Sequence, residues 1–271
     1  IKQEENGMRM SHIVAVALVG CVSVIGTAGC AQIDTAAIEE QTVEPSPQIS
    51  SLYEGSPYLG ELRNTLLYGE LWERAELSKR DRSLITVAVL QALVRDELRL
   101  HIPRGLDNGL SPEEITEIIL HVTFYAGWPT GVQASLLAAE VFSERGLSLE
   151  PLPRAEHDAE VVSYSSGAYA AVPRLGELRN SLLYGDIWER PLLSKRDRSL
   201  ITVAVAQALY TTNQLRSHIG RALDENGVTP QELSELILHV TFYAGWPAAV
   251  NAGGLAAEAY EERGVSFEGL N

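Results

Sequence analysis

From about residue 57 onward, apolar positions recur at helical spacing. Ile115, Ile118, Ile119, Val122 and Ala126 share one face until Gly127 and Pro129 end the run. In front of them Ser111-Pro112-Glu113-Glu114 offers a capping hydroxyl, a first-turn proline and a glutamate that can reach back to the cap. Thr229-Pro230-Gln231-Glu232 does the same further along. A second helix is predicted over Asp81–Val94 and again over Asp197–Tyr210, with Leu84, Val87, Ala88 and Gln91 on one side of the first copy. A third is predicted around Leu98–Leu106 and Leu215–Leu223, and a fourth over Thr130–Arg145 and Ala248–Arg263. Pro103 is expected to disturb the third helix of the first copy, where the second has Gly220. No convincing alternating strand pattern occurs, so the expected fold class is all-α.

These elements come in pairs because the sequence is duplicated. Leu77–Val89 and Leu193–Val205 both read LSKRDRSLITVAV, and Leu120–Pro129 and Leu238–Pro247 both read LHVTFYAGWP. The units are placed at 57–150 and 173–271, joined by a Pro- and Ser-containing linker at 151–172. Helices this apolar on more than one face need a partner, and a unit of about 90 residues has limited capacity to bury them alone. The two units are therefore expected to pack together as an intrachain pseudo-dimer.

Composition narrows the chemistry. The 271 residues carry a formal net charge of −15, which repels phosphate backbones and anionic lipid headgroups. Nucleic acid is not an expected partner, and an anionic substrate would need a local arginine site. Both cysteines, Cys21 and Cys30, precede the first repeat, so neither repeat holds a thiol nucleophile, a CxxC pair or a thiolate metal site. Residues 1–30, with Arg9, the apolar run Ile13–Ile25 and small residues before Cys30, read as a signal peptide of lipoprotein type with Cys30 as the lipidation site. Residues 31–56 read as a flexible tether. Export follows, to the periplasm or cell surface or by simple secretion, with membrane contact only through that anchor.

Four of the six histidines form two matched pairs. His101 and His218 lie on the third helix of each unit, where a sheltered imidazole can move a proton in either direction; a histidine capped by a carbonyl is the structural alternative. His121 stands four residues after Glu117 and four before Tyr125, and Glu235, His239 and Tyr243 repeat this. At that spacing the glutamate can hold the imidazole's tautomer, as for a general base, or the stripe can be a buried structural hydrogen-bond chain. Arg82 and Arg198 are candidate clamps for a substrate carboxylate, or solvated charges at a helix start. No metal is expected, since one histidine and one glutamate per helix fall short of a ligand set. Trp72, Trp188, Trp128 and Trp246 are assigned to core or interface packing.

The run GELWERAELSKRDRSLITVAVLQAL with ELRLHIPRGLDNGLSPEEITEIILHVTFYAGWP, and its second copy ending YAGWPAAVNA, resembles the carboxymuconolactone decarboxylase family of the alkyl hydroperoxidase D superfamily. That resemblance implies small all-helical units with sites at subunit junctions, here a fused pair assembling as a homotrimer that mimics a hexamer. It implies a cofactor-free carboxy-lyase or related lactone chemistry on a small carboxylated or lactone substrate, with His101 and His218 as proton carriers and Glu117, His121, Glu235 and His239 as the second choice. Tyr125 and Tyr243 accompany Arg82 and Arg198 as substrate-binding candidates. The peroxidase branch needs a CxxC that is missing here, which excludes that activity. This chain also departs from the pattern YCGIPAANHA of the aromatic-catabolism decarboxylases, because Asn251 and Gln133 stand where they have a late histidine. A non-catalytic small-molecule-binding or scaffold protein of the same fold is the alternative.

Overall fold

The computed structural model describes residues 52–149 and 167–270. The proposed signal segment, Cys30, nearly all of the tether and most of the linker lie outside the described residues. Among the described residues the fold is all helical. In the first repeat, α1 (Pro57–Leu62) runs into a π-helical stretch (Arg63–Leu67) and a 3-10 turn (Leu71–Glu73), followed by α2 (Lys79–Ala92), α3 (Leu98–Asp107), α4 (Pro112–Ala126) and α5 (Trp128–Glu144). The end of the linker forms α6 (Gly167–Ala171), and the second repeat follows with α7 (Pro173–Leu178), a π-helical stretch (Arg179–Ile187), α8 (Lys195–Ala208), α9 (Thr212–Asp224), α10 (Pro230–Ala244) and α11 (Trp246–Glu262).

The boundaries obey local chemistry. Ser78 and Ser194 accept the backbone N–H of Asp81 and Asp197, and both expected capping boxes form, Ser111 with Glu114 and Thr229 with Glu232. Gly127 and Gly245 end α4 and α10 at φ 95° and 93°, a conformation that favours glycine, and turn the chain into the next helix. Pro103 does not break α3, contrary to expectation. It lacks the N–H that would bond the Arg99 carbonyl, and Arg99 sits at the exposed start of the helix, where water can satisfy that carbonyl.

Helices α2 and α8 pack against each other at the centre, with α10 crossing onto α2 and α4 onto α8. From Asp81 to Ala92 and from Asp197 to Ala208 every residue is buried, which explains why these helices are apolar on all sides. Their polar starts interlock reciprocally. Arg80 reaches Asp197 Oδ2 at 3.1 Å and Arg196 reaches Asp81 Oδ2 at 2.9 Å, while Glu114 and Glu232 hold the same two arginines from α4 and α10. The repeats are thus fused across a pseudo-twofold axis, as the unburied faces of a single unit required.

Candidate functional site

The crossing of α10 over α2 brings together residues that sequence had placed in different repeats. Glu235 of α10 is held by Arg74 Nε at 2.8 Å and by Arg82 Nη2 at 2.9 Å, both from the first repeat. One turn on, His239 lies against Arg82 and Thr86 of α2. Thr86 donates its hydroxyl proton to the Arg82 carbonyl at 2.7 Å, so its oxygen is free to accept His239 Nε2–H at 2.8 Å. Arg82 Nη1, a donor only, faces His239 Nδ1 at 3.4 Å. Those partners fix a neutral Nε2–H tautomer. Burial, then the charges of Arg82 and His101, push the His239 pKa down to about 3. The second repeat mirrors this with Arg198, Thr202, Glu117 and His121, Nε2 of His121 lying 2.9 Å from Thr202 Oγ1. Burial, then Arg198 and His218, hold His121 well below the usual imidazole range.

Two expectations change here. Glu117 and Glu235 do not hold the imidazole one turn away; they bind arginines of the opposite repeat, and a threonine and an arginine set the tautomer instead. Arg82 and Arg198 are fully buried, and each turns its Nη2 to one of those internal carboxylates and its Nη1 to a histidine, so the carboxylate they meet belongs to the protein. Among the described residues no cluster of His, Cys, Asp and Glu has metal-binding geometry. Thr86→Val removes the acceptor of a buried N–H while keeping the shape. A loss of about 1–3 kcal/mol is expected, together with a changed His239 ring-nitrogen spectrum. An unaltered spectrum would refute the tautomer assignment.

His101 is placed differently. It is 7% exposed, its ring meets Tyr243 edge-on at 5.7 Å and Trp72 at 6.3 Å, and its buried Nδ1 has no hydrogen-bond partner. Burial, then the Arg104 charge, lowers its pKa to about 4. The ring forms the inner wall of a 590 Å³ cleft whose sides include Tyr53, Arg63, Tyr68, Phe242 and Tyr243. Tyr243 comes from the second repeat, so the cleft is shared between the two. The Trp72 indole N–H donates to the Tyr243 hydroxyl at 3.0 Å, and burial raises that phenol's pKa, keeping its own proton in place at neutral pH. Arg63 and Arg104 approach the Tyr68 ring at 4.7 and 4.6 Å.

At the second site His218 stacks on Trp188 at 6.3 Å and meets Tyr125 at 5.6 Å; burial, then Arg221 and Arg179, bring its pKa to about 4. The counterparts Phe124, Tyr169, Arg179 and Leu183 line a smaller cleft of 240 Å³ whose walls, unlike those of the first, do not include the histidine or the tyrosine, His218 and Tyr125. Trp72 and Trp188 are core residues as expected, but their indole N–H groups also orient the site tyrosines. Thr86, Arg74, Arg104, Tyr68 and their counterparts were missed. Their signal was pairing: each recurs in the other repeat, as in Trp72-Glu73-Arg74 and Trp188-Glu189-Arg190.

Comparison with known proteins decides the kinship. The Carboxymuconolactone decarboxylase family profile matches residues 57–140 and matches again at 173–258. The chain belongs to the carboxymuconolactone decarboxylase family. As a tandem member of that family it is 46% identical over 88 residues to the 4-carboxymuconolactone decarboxylase of Acinetobacter baylyi, covering 32% of this chain and 65% of the relative. It is 34% identical over 76 residues to the nitrosuccinic acid decarboxylase of Metarhizium robertsii, covering 28% of this chain and 52% of that protein. The match therefore spans between half and two-thirds of each curated relative. Within this family member, Gln133 and Asn251, at the positions expected for a late histidine, are not part of the cleft at His101.

Proposed function

We propose that this protein is a cofactor-free decarboxylase of small carboxylated or lactone-like compounds, with His101 as the proton carrier of its larger site and His218 as its counterpart. The carrying observation is the contrast among the paired histidines. His239 has partners at both ring nitrogens, whereas His101 has an unpartnered nitrogen and borders a cleft. Two relatives whose names are decarboxylases support the reaction class.

The chemistry follows from what surrounds that imidazole. Loss of carbon dioxide breaks a carbon–carbon bond and leaves its electron pair on the substrate, conjugated to an acyl oxygen. The Tyr243 hydroxyl, polarised by the Trp72 N–H and still protonated at neutral pH, donates to that oxygen. His101 then delivers a proton to carbon. Empty, the imidazole is neutral at pH 7, but an anion bound beside it favours imidazolium and lifts its pKa toward neutrality, so it draws a proton from solvent as substrate binds. Arg63, on the cleft wall, attracts the carboxylate against the net negative charge of the chain.

His101→Asn with His218→Asn is expected to lower kcat about 10²- to 10⁴-fold without unfolding the protein, assayed on a panel of carboxylated lactones. A double variant with unchanged turnover removes both from the mechanism. Self-association through α5 and α11 belongs to the same proposal, because Trp128 and Trp246 are 70% and 69% exposed beside Val132, Leu136 and Val250. Three copies would place six units in the assembly.

A further inference from the structure

The two sites of one chain are not copies of each other at the outer edge, and the difference lies in charge. The loop joining α2 to α3 and the loop joining α8 to α9 start alike. Val94 and Tyr210 both take a left-handed conformation, φ 55° and 56°, and the next backbone N–H bonds five residues back, Arg95 to the Leu90 carbonyl at 2.9 Å and Thr211 to the Ala206 carbonyl at 3.1 Å. Beyond that point the two part: Arg95, Asp96 and Glu97 form a turn ahead of α3, whereas α9 already begins at Thr212, so that Thr211, Thr212 and Asn213 stand in their place, with one residue more before the next shared leucine, Leu98 or Leu215. A left-handed conformation is costly for a β-branched or bulky residue. Its presence under two different side chains marks the turn at Val94 and Tyr210 as shared, while the residues after it have diverged.

Arg95, Asp96 and Glu97 all line the 590 Å³ cleft of which His101 is the inner wall. All three are exposed, and among the described residues none enters an ion pair. The helix-start carboxylates do not cap α3 by a side-chain hydrogen bond either. Arg63 stands on the same cleft, which therefore holds two guanidiniums and two carboxylates. A plain dianion would meet attraction and repulsion in equal measure there. A group carrying an ammonium and a carboxylate side by side can satisfy both signs.

We infer that the cleft at His101 recognises an α-amino-acid-like zwitterion, read by Arg95 against Asp96 and Glu97. The segment from Thr211 to Gln214 that leads into the helix of His218 carries no charge, so no such selection is expected there. The inference names the substrate class of the larger site and so rests on the proposed function, but its test does not use turnover.

L-glutamate and glutarate share one carbon skeleton and differ by the ammonium group, which makes them the probes. The full chain, labelled at its histidine rings and assigned with His101→Asn and His218→Asn, is titrated with each at neutral pH. L-glutamate is expected to move the His101 resonance at about two- to fivefold lower concentration than glutarate, the range that one or two exposed ion pairs supply. His218 should show no preference for L-glutamate. Asp96→Asn with Glu97→Gln, both at exposed positions, should erase the preference at His101 and leave His218 as it was. The inference is overturned if both sites rank the two probes alike, if the preference survives the double substitution, or if neither probe moves the His101 resonance. Failure of the decarboxylase reading appears elsewhere, as unchanged turnover in the double histidine variant.

Discussion

Glu117→Gln is expected to destabilise the protein by about 3–5 kcal/mol, a fall of roughly 10 °C in Tm for a body of this size. Glu117 is fully buried and is the counter-charge of two guanidiniums, Arg190 Nε at 2.7 Å and Arg198 Nη2 at 3.2 Å. Burial alone pushes Arg198 away from its charged form, and the Glu117 charge is the largest influence holding it there. Glutamine preserves shape and acceptor oxygen but leaves both cations without neutralisation. The equivalent change Glu235→Gln should cost less. Arg74, the counterpart of Arg190, is 26% exposed against 7%, so water shares its charge once the carboxylate is gone. Scanning calorimetry of both variants decides the matter. Equal losses, or a loss below about 1 kcal/mol for Glu117→Gln, would show that these pairs are not the electrostatic centre of the inter-repeat contact.

That contact also shows how far the sequence could be read. Helix periods, the capping boxes at Ser111 and Thr229 and the terminating Gly127 and Gly245 are local codes, and each is where its residues placed it. The duplication revealed that two units must cover each other. What periodicity could not supply was the register of that covering. Glu117, His121 and Tyr125 do share a helix face, yet which side chains meet that face depends on α4 crossing α8 of the other repeat. Hence Arg198 reads as a substrate clamp from its spacing alone and turns out to hold Glu117. Thr86 drew no attention because a threonine in an apolar helix reads as filler; its role comes from the imidazole that lands upon it. Pairing across repeats was the one accessible signal for such residues, since a composite site built twice must duplicate all of its parts.

The same buried imidazoles predict a steep loss of stability in mild acid. His101 and His218 are lowered to about 4 and His239 to about 3, each chiefly by burial, and His121 is lowered well below its usual range for the same reason. In the unfolded chain all four titrate near 6.5. The unfolded state therefore binds more protons at any pH between about 6.5 and 4, and stability, complete above that window, drains as pH falls through it. A shift from 6.5 to about 4 corresponds to about 3 kcal/mol per group. The three groups with these values together are comparable with the whole stability of an ordinary domain, and His121 adds to the loss in the same direction, so unfolding should begin before pH 4 is reached. Carboxylates act lower on the scale. Asp107, Asp224 and Glu232 are held below their ordinary values by Arg145, Arg263 and Arg196, so their contributions fade from about pH 5 downward and do not account for a loss between pH 6.5 and about 5. Melting curves from pH 7.5 to 4, in buffers of differing ionisation enthalpy, should show proton uptake on unfolding that grows across the window. His101→Gln with His218→Gln should flatten the slope. A Tm that stays level from pH 7 to 4.5 would mean that water reaches these rings, and with it the sheltered imidazole on which the proposed proton transfer depends would be lost.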